Sequence, residues 1–192
     1  MSQYKVENKK EKLEDFKTAI SSTVRSLSNS QEIEISFGNQ AIKSSKNSIR
    51  LPDLEQESNK LNYEKIRAIA DSKSLNLRFS DMKTLKKYEP EGNISKKLYS
   101  ISEKIRCEKI GTSYFKGVKK NIEKYYYKRV SGLDLKSSED KIIESFENYL
   151  RIKFLNFKNE SQIDKRLKPF KKDLNDQFKN RISELKDLAL DQ

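Results

Sequence analysis

Along most of the chain, apolar residues recur at the three- and four-residue steps of a helix, and in one stretch they alternate as in a strand. After a polar start at residues 1–11, which reads as frayed and flexible, Leu13, Phe16, Ile20, Val24 and Leu27 predict an amphipathic helix ending at the Ser28-Asn29-Ser30 cluster. Ile33, Ile35 and Phe37 then alternate with Glu32, Glu34 and Ser36, the period of a half-buried strand. Gly38-Asn39 breaks that pattern, and residues 48–51 before Pro52 read as a second short strand. The two are expected to form a small antiparallel hairpin with a loop near residues 44–47, one face packed on helices.

Helical spacing resumes after Asn62, a candidate N-cap, with Ile66, Ile69, Ala70, Leu75, Leu77 and Phe79. A short helix over residues 81–88 should be stopped by Pro90 and Gly92. Ile94, Leu98, Ile101, Ile105 and Ile110 mark a long helix interrupted near Gly111. Tyr114, Phe115, Val118, Ile122 and the three tyrosines 125–127 carry the signal on to Val130. A break at Ser131-Gly132 and a helix start at Ser137-Ser138-Glu139-Asp140 set residues 12–131 apart as a core domain from a helical extension over 132–192. That extension holds one helix through Ile143, Leu150 and Phe157, and one or two more kinked at Pro169. The expected fold class is α+β, mostly helical, with a small antiparallel sheet near the amino end.

Charge adds one question. The formal net charge of +12 invites a basic helical nucleic-acid-binding module, for which the Lys and Tyr run over 114–129 would be the surface. Lys outnumbers Arg more than threefold, however, and the bases are interleaved with acids at helical spacing, as a solvated face requires. Nucleic acid is therefore disfavoured as a partner. On a helix the three tyrosines point in three directions, which fits one core, one rim and one surface residue, and Tyr126 is taken as a candidate for a protein interface. No run of apolar residues is long enough to span a membrane, and a lone cysteine, Cys107, permits no internal disulfide, which suits a cytoplasmic protein.

Catalytic chemistry is poorly supplied. There is no histidine, which removes His-containing triads, His metal sites and the commonest general base near neutral pH. No G-x-x-x-x-G-K-[ST] loop is present to hold ATP. Cys107 reads as a small buried side chain rather than a reactive thiol. Glu103 and Arg106 stand three apart on one helix, and if buried they would form a fixed structural pair.

Three motifs in register carry a family resemblance: Tyr88-Glu89-Pro90-Glu91-Gly92, then E-x-x-R-x-E-x-I-G from Glu103 through Arg106 and Glu108 to Gly111, then G-V-x-x-N-[IL] from Gly117 to Asn121 and Ile122. Their order and spacing resemble the amino-terminal region of the CobT subunit of aerobic cobaltochelatase. Phe16, Glu34-Ile35-Ser36-Phe37-Gly38, Arg50-Leu51-Pro52, Arg67 with Ala70-Asp71, and Ser80-Asp81 fall in the same order, so the resemblance covers residues 13–131.

The family implies ATP-dependent insertion of cobalt into hydrogenobyrinic acid a,c-diamide during cobalamin synthesis. It also implies a hetero-oligomer in which a CobN-type large subunit holds the metal and corrin chemistry and a CobS-type AAA+ ATPase is the partner of CobT. ATP, magnesium and cobalt then belong to the whole complex, and this chain holds no cofactor, metal or catalytic residue of its own. A docking or scaffolding part of a ligase is what remains, with Glu91, Gly92, Glu103, Arg106, Glu108, Gly111, Gly117, Asn121 and Tyr126 as candidate interface or family-motif residues. An adaptor for an AAA+ chaperone with another client is the alternative. The family implies that an acidic linker and a von Willebrand factor A domain follow, and the final residues continue a helical pattern without a cap, as a truncated chain would. Family members commonly carry histidine where Ser80 sits, and this departure argues against a metal role for that turn.

A helix that follows a strand ending in Leu-Pro has the outline of a zincin, in which H-E-x-x-H puts two ligands one turn apart. The corresponding window here is Ser72-Lys73-Ser74-Leu75-Asn76, without either histidine or the glutamate, and Glu103 and Glu108 could have supplied a third ligand in an ancestor. A degenerate zincin-like scaffold is thus a further expectation.

Overall fold

The computed structural model describes residues 2–40, 47–54, 63–158 and 161–190, and the Asn62 cap and most of the expected 44–47 loop lie outside them. The chain is mostly helical and packs as two compact units, residues 1–78 and 79–192.

The first unit is built on α1 (Ser2–Ser28), β1 (Glu34–Phe37), β2 (Ser48–Leu51) and α2 (Tyr63–Phe79), whose last residue falls at the start of the second unit. Helix α1 begins at Ser2, so residues 2–11 continue the helix rather than precede it. It stops where Asn29 adopts a left-handed φ of 55°, with Asn29 N–H donating to Ser26 O and Ser30 N–H to Arg25 O, a Schellman closure. Leu13, Ile20 and Val24 of α1 form one core with Ile33, Phe37, Ile49, Leu51, Ile66 and Ala70. Arg78 reaches back to the Leu27 carbonyl at 3.3 Å and ties the ends of α2 and α1.

The strands lie where the alternation puts them but run parallel, with Glu34 opposite Ser48 and Phe37 opposite Leu51, so the expected antiparallel hairpin is incorrect. A period of two decides which face is buried and is blind to strand direction. Residues 38–47 could span roughly 33 Å extended, ample to return along a four-residue strand and re-enter in the same direction. Gly38 N–H caps the pair by donating to Leu51 O at 2.9 Å. Gly38 has φ of 60°, and a Cβ there would stand 2.8 Å from Asp53, so only glycine fits.

The zincin-like scaffold finds no support either. The strands and α2 do share a core, yet Ser72 and Ser74 are buried within it and Ser74 Oγ donates to its own helix at Ala70 O. Lys73 is bonded to the Arg50 carbonyl at 2.8 Å. Among the described residues no three Cys, Asp or Glu side chains gather as a metal site would require.

The second unit holds α3 (Met82–Lys87), α4 (Asn93–Tyr114), α5 (Lys116–Gly132), α6 (Ser138–Leu155), α7 (Ser161–Leu167) and α8 (Lys171–Asp187), with 3-10 turns at Lys168–Phe170 and Leu188–Leu190. Asp81 caps α3 by accepting from Lys83 N–H, and Ser137 caps α6 by accepting from Asp140 N–H. Helix α4 runs straight through Gly111 and ends at Phe115 instead. Pro169 sits in the 3-10 turn that separates α7 from α8, where a kink is expected. Helix α6 is the hub, buried on every side between residues 144 and 151, and it packs on α4, α7 and α8. Helices on either side of Ser131-Gly132 therefore share one unit, whereas the sequence pattern places a boundary there.

Candidate functional site

The motif helix α4 lays one side along an apolar cleft of about 290 Å³ in the second unit. Tyr99, Ile105 and Arg106 of α4 form one wall and Phe146, Leu150 and Phe154, one turn apart on α6, form the floor. Phe178 and Leu185 of α8, with Leu188 in the turn beyond, close the other side. Leu185 and Leu188 keep 44% and 50% of their surface exposed, so the cleft has an apolar lip facing solvent.

Glu103 and Arg106 meet in a two-pronged pair at the cleft wall, with Arg106 Nε donating to Glu103 Oε2 at 2.7 Å and an Nη donating to Oε1 at 2.8 Å. The same guanidinium donates to the carbonyls of Phe79 and Ala189, so one arginine anchors both ends of this unit to α4. Burial pushes the Glu103 carboxyl up, but the hydrogen bonds and charge of Arg106 outweigh it and leave the carboxyl below its ordinary value. Cys107 is fully buried beside them, and burial, then the Glu103 charge, drive its thiol well above the usual range. Such a thiol is not a nucleophile.

Behind the cleft, five charged side chains alternate in sign through the bundle. Glu108 of α4 accepts from Arg151 of α6 at 2.6 Å, and Arg151 Nε donates to Glu147 at 2.9 Å. Glu147 accepts from Arg129 of α5 at 3.0 Å, and Arg129 also donates to Glu144 at 3.2 Å. The Tyr126 ring lies 4.7 Å from the Arg151 guanidinium and 5.3 Å from that of Arg129. Burial pushes Glu147 up, yet Arg151, Lys104 and Arg129 together bring it down to about 2. Glu144 is raised, because burial outweighs its pairing with Arg129. The chain of pairs fixes α4, α5 and α6 in register.

The sequence-derived candidates thus divide. Glu103 and Arg106 line the cleft, while Glu108 and Tyr126 are interior, so neither of the latter presents a surface to a partner. Glu91 is exposed and Gly92, at φ of 86°, starts α4 in a conformation that other residues rarely adopt. Gly111 is buried in α4, and its carbonyl accepts from Phe115 N–H at the helix end. Asn121 is half-buried on α5, and Gly117 is exposed with open space where a Cβ would sit, so nothing in the structure explains a glycine there. Tyr125 and Tyr127 are half-buried, and Tyr127 donates to the Lys158 carbonyl. Arg129, Glu144, Glu147 and Arg151 were hidden by their spacing, since Glu144, Glu147 and Arg151 recur at the steps of a solvated helical stripe.

The family whose sequence model is described as Cobalamin biosynthesis protein CobT matches residues 10–192. The chain belongs to the CobT family. The match takes in α6, α7 and α8 as well as the motif helices, so the charge chain and the cleft both lie within the CobT region. Membership places this CobT chain in cobalamin biosynthesis. No solved structure matches it, and among the described residues no helix is long and apolar enough to cross a membrane.

Proposed function

We propose that this CobT region is a non-catalytic docking scaffold of an aerobic cobaltochelatase. It supports ATP-dependent cobalt insertion into hydrogenobyrinic acid a,c-diamide by binding a CobS-type AAA+ ATPase and, through it, a CobN-type large subunit. ATP, magnesium and the cobalt substrate are handled by those partners. The observation that carries the reading is the use made of the E-x-x-R-x-E motif: Glu103 holds Arg106, which donates to the Phe79 and Ala189 carbonyls, and Glu108 pairs with Arg151 of α6, so its charged groups are engaged within the fold. Beside the motif helix lies the apolar cleft, with Leu185 and Leu188 of the α8 end at its lip.

Co-elution of the chain with the CobS-type ATPase, at low and at high salt, tests the proposal. Apolar docking predicts a complex that survives high salt, because screening acts on exposed charges and little on buried apolar contact. Absence of a complex at either salt would refute it. Binding to duplex DNA or RNA that falls steeply with salt would instead favour the nucleic-acid reading of the basic surface.

A further inference from the structure

The charge pattern of α5 departs from that of the rest of the chain. Lys116, Lys120, Lys124 and Lys128 stand four residues apart and are exposed, so they follow one ridge of the helix over roughly 18 Å. The helix has a single acid, Glu123, which is half-buried and accepts from the Tyr127 hydroxyl at 3.2 Å. Among the described residues, Lys116 and Lys120 have no carboxylate within ion-pair distance. Gly117 lies on the same side of α5, three residues before Lys120. Its φ is not positive and a Cβ there would meet nothing within 4 Å, so neither backbone nor packing calls for glycine. Like charges at four-residue steps and a glycine inside a helix both cost helix stability. Both costs fall on one face, and the fold gains nothing from the glycine, as befits a surface shaped for something outside the chain.

We propose that this face of α5 docks an acidic helix of a partner protein. Carboxylates at four-residue steps on such a helix rise at the same interval of roughly 6 Å as the lysines, so the two rows can meet ridge against ridge. Gly117 lets the partner's backbone come close at a point where a side chain would hold it off. Protein is favoured over nucleic acid because the exposed residues of α5 include no arginine fork and no aromatic ring on which bases could stack. The apolar cleft is built by α4, α6 and α8, so the two surfaces stand or fall separately, and contact through α5 should be the salt-sensitive one.

The test is fluorescence anisotropy of a labelled alanine-rich helical peptide with glutamate at every fourth position, titrated with the full chain at about 50 and about 300 mM salt. The comparison probes are a peptide of the same composition with its glutamates scrambled, and a thymidine oligonucleotide. Saturable binding of the regular peptide is expected, weaker by about tenfold or more at the higher salt. Lys116→Glu combined with Lys120→Glu should abolish it. Lys172→Glu combined with Lys179→Glu makes the same change in net charge on α8 and should bind within about twofold of wild type. Gly117→Leu removes a helical glycine, so its thermal midpoint should be at or above wild type while its binding falls by about fivefold or more. No saturable binding, equal binding of the scrambled peptide, tighter binding of the oligonucleotide, equal loss in the α8 variant, or full binding by Gly117→Leu would overturn the proposal.

Discussion

Replacing Arg151 with methionine strikes the centre of the charge chain. Its guanidinium is 2% exposed and serves two carboxylates, Glu108 at 2.6 Å and Glu147 at 2.9 Å. Glu147 would keep Arg129 at 3.0 Å and Lys104 at 4.0 Å, so the damage falls mainly on Glu108, which is fully buried. Removing one partner of a buried pair costs about 3–5 kcal/mol, because the remaining charge stays desolvated. A typical domain has only about 5–15 kcal/mol in total, so the loss should be plain in urea unfolding. Tyrosine fluorescence is a suitable probe, since the chain has no tryptophan and Tyr126 lies 4.7 Å from the altered group. Adding Glu108→Leu should recover about half of the loss by removing a buried carboxylate that Arg151 no longer neutralises. The reasoning is refuted if Arg151→Met stays within about 1 kcal/mol of wild type, or if the double variant costs the sum of the two singles.

Acid should act on the neighbouring glutamates with opposite signs. Glu147 is held at about 2 against an ordinary 4.5, so its contribution of about 3 kcal/mol is present above pH 4.5 and is lost as pH falls toward 2. Glu144 is raised, so it favours folding as pH falls and opposes it as pH rises through its folded value. Urea midpoints across that range should therefore show Glu147→Gln losing both stability and acid dependence, and Glu144→Gln costing less than half as much. Gly92→Ala should lower stability by about 1–2 kcal/mol through strain at positive φ; the nearest atom to a Cβ there is 3.9 Å away, so a clash is not the cause. An unchanged thermal midpoint would contradict that. Cys107 should resist iodoacetamide in the native protein and react in urea, as followed by mass spectrometry; rapid native labelling would show that its burial is not maintained.

Element positions were legible because apolar spacing and caps are local. Ser28-Asn29-Ser30 closes α1, Ser137 opens α6, and residues 48–51 are β2, each where the pattern puts it. Strand direction was not legible, since Ile35 and Ile49 alternate identically in either orientation and the return path is long enough for both. Gly111 reads as a break, but a buried site within α4 tolerates it and the helix continues to Tyr114. The Glu103 and Arg106 pair could be anticipated from its three-residue spacing. The partner of Glu108 could not, because Arg151 is 43 residues away and resembles a surface residue until α6 is seen to be buried all round. Likewise the cleft needs α4, α6 and α8 together, a conjunction that no single helical pattern contains.

The docking account is tested most directly by Leu185→Glu combined with Leu188→Glu, two exposed positions whose change should leave the fold intact. The measurement is cobalt insertion into hydrogenobyrinic acid a,c-diamide in a system reconstituted with CobS-type and CobN-type subunits, scored beside co-elution with the ATPase. The account predicts that the double variant loses binding and insertion together while its own unfolding curve is unchanged. Full insertion by a correctly folded double variant that no longer binds the ATPase, or full binding despite two carboxylates on the lip, would contradict it.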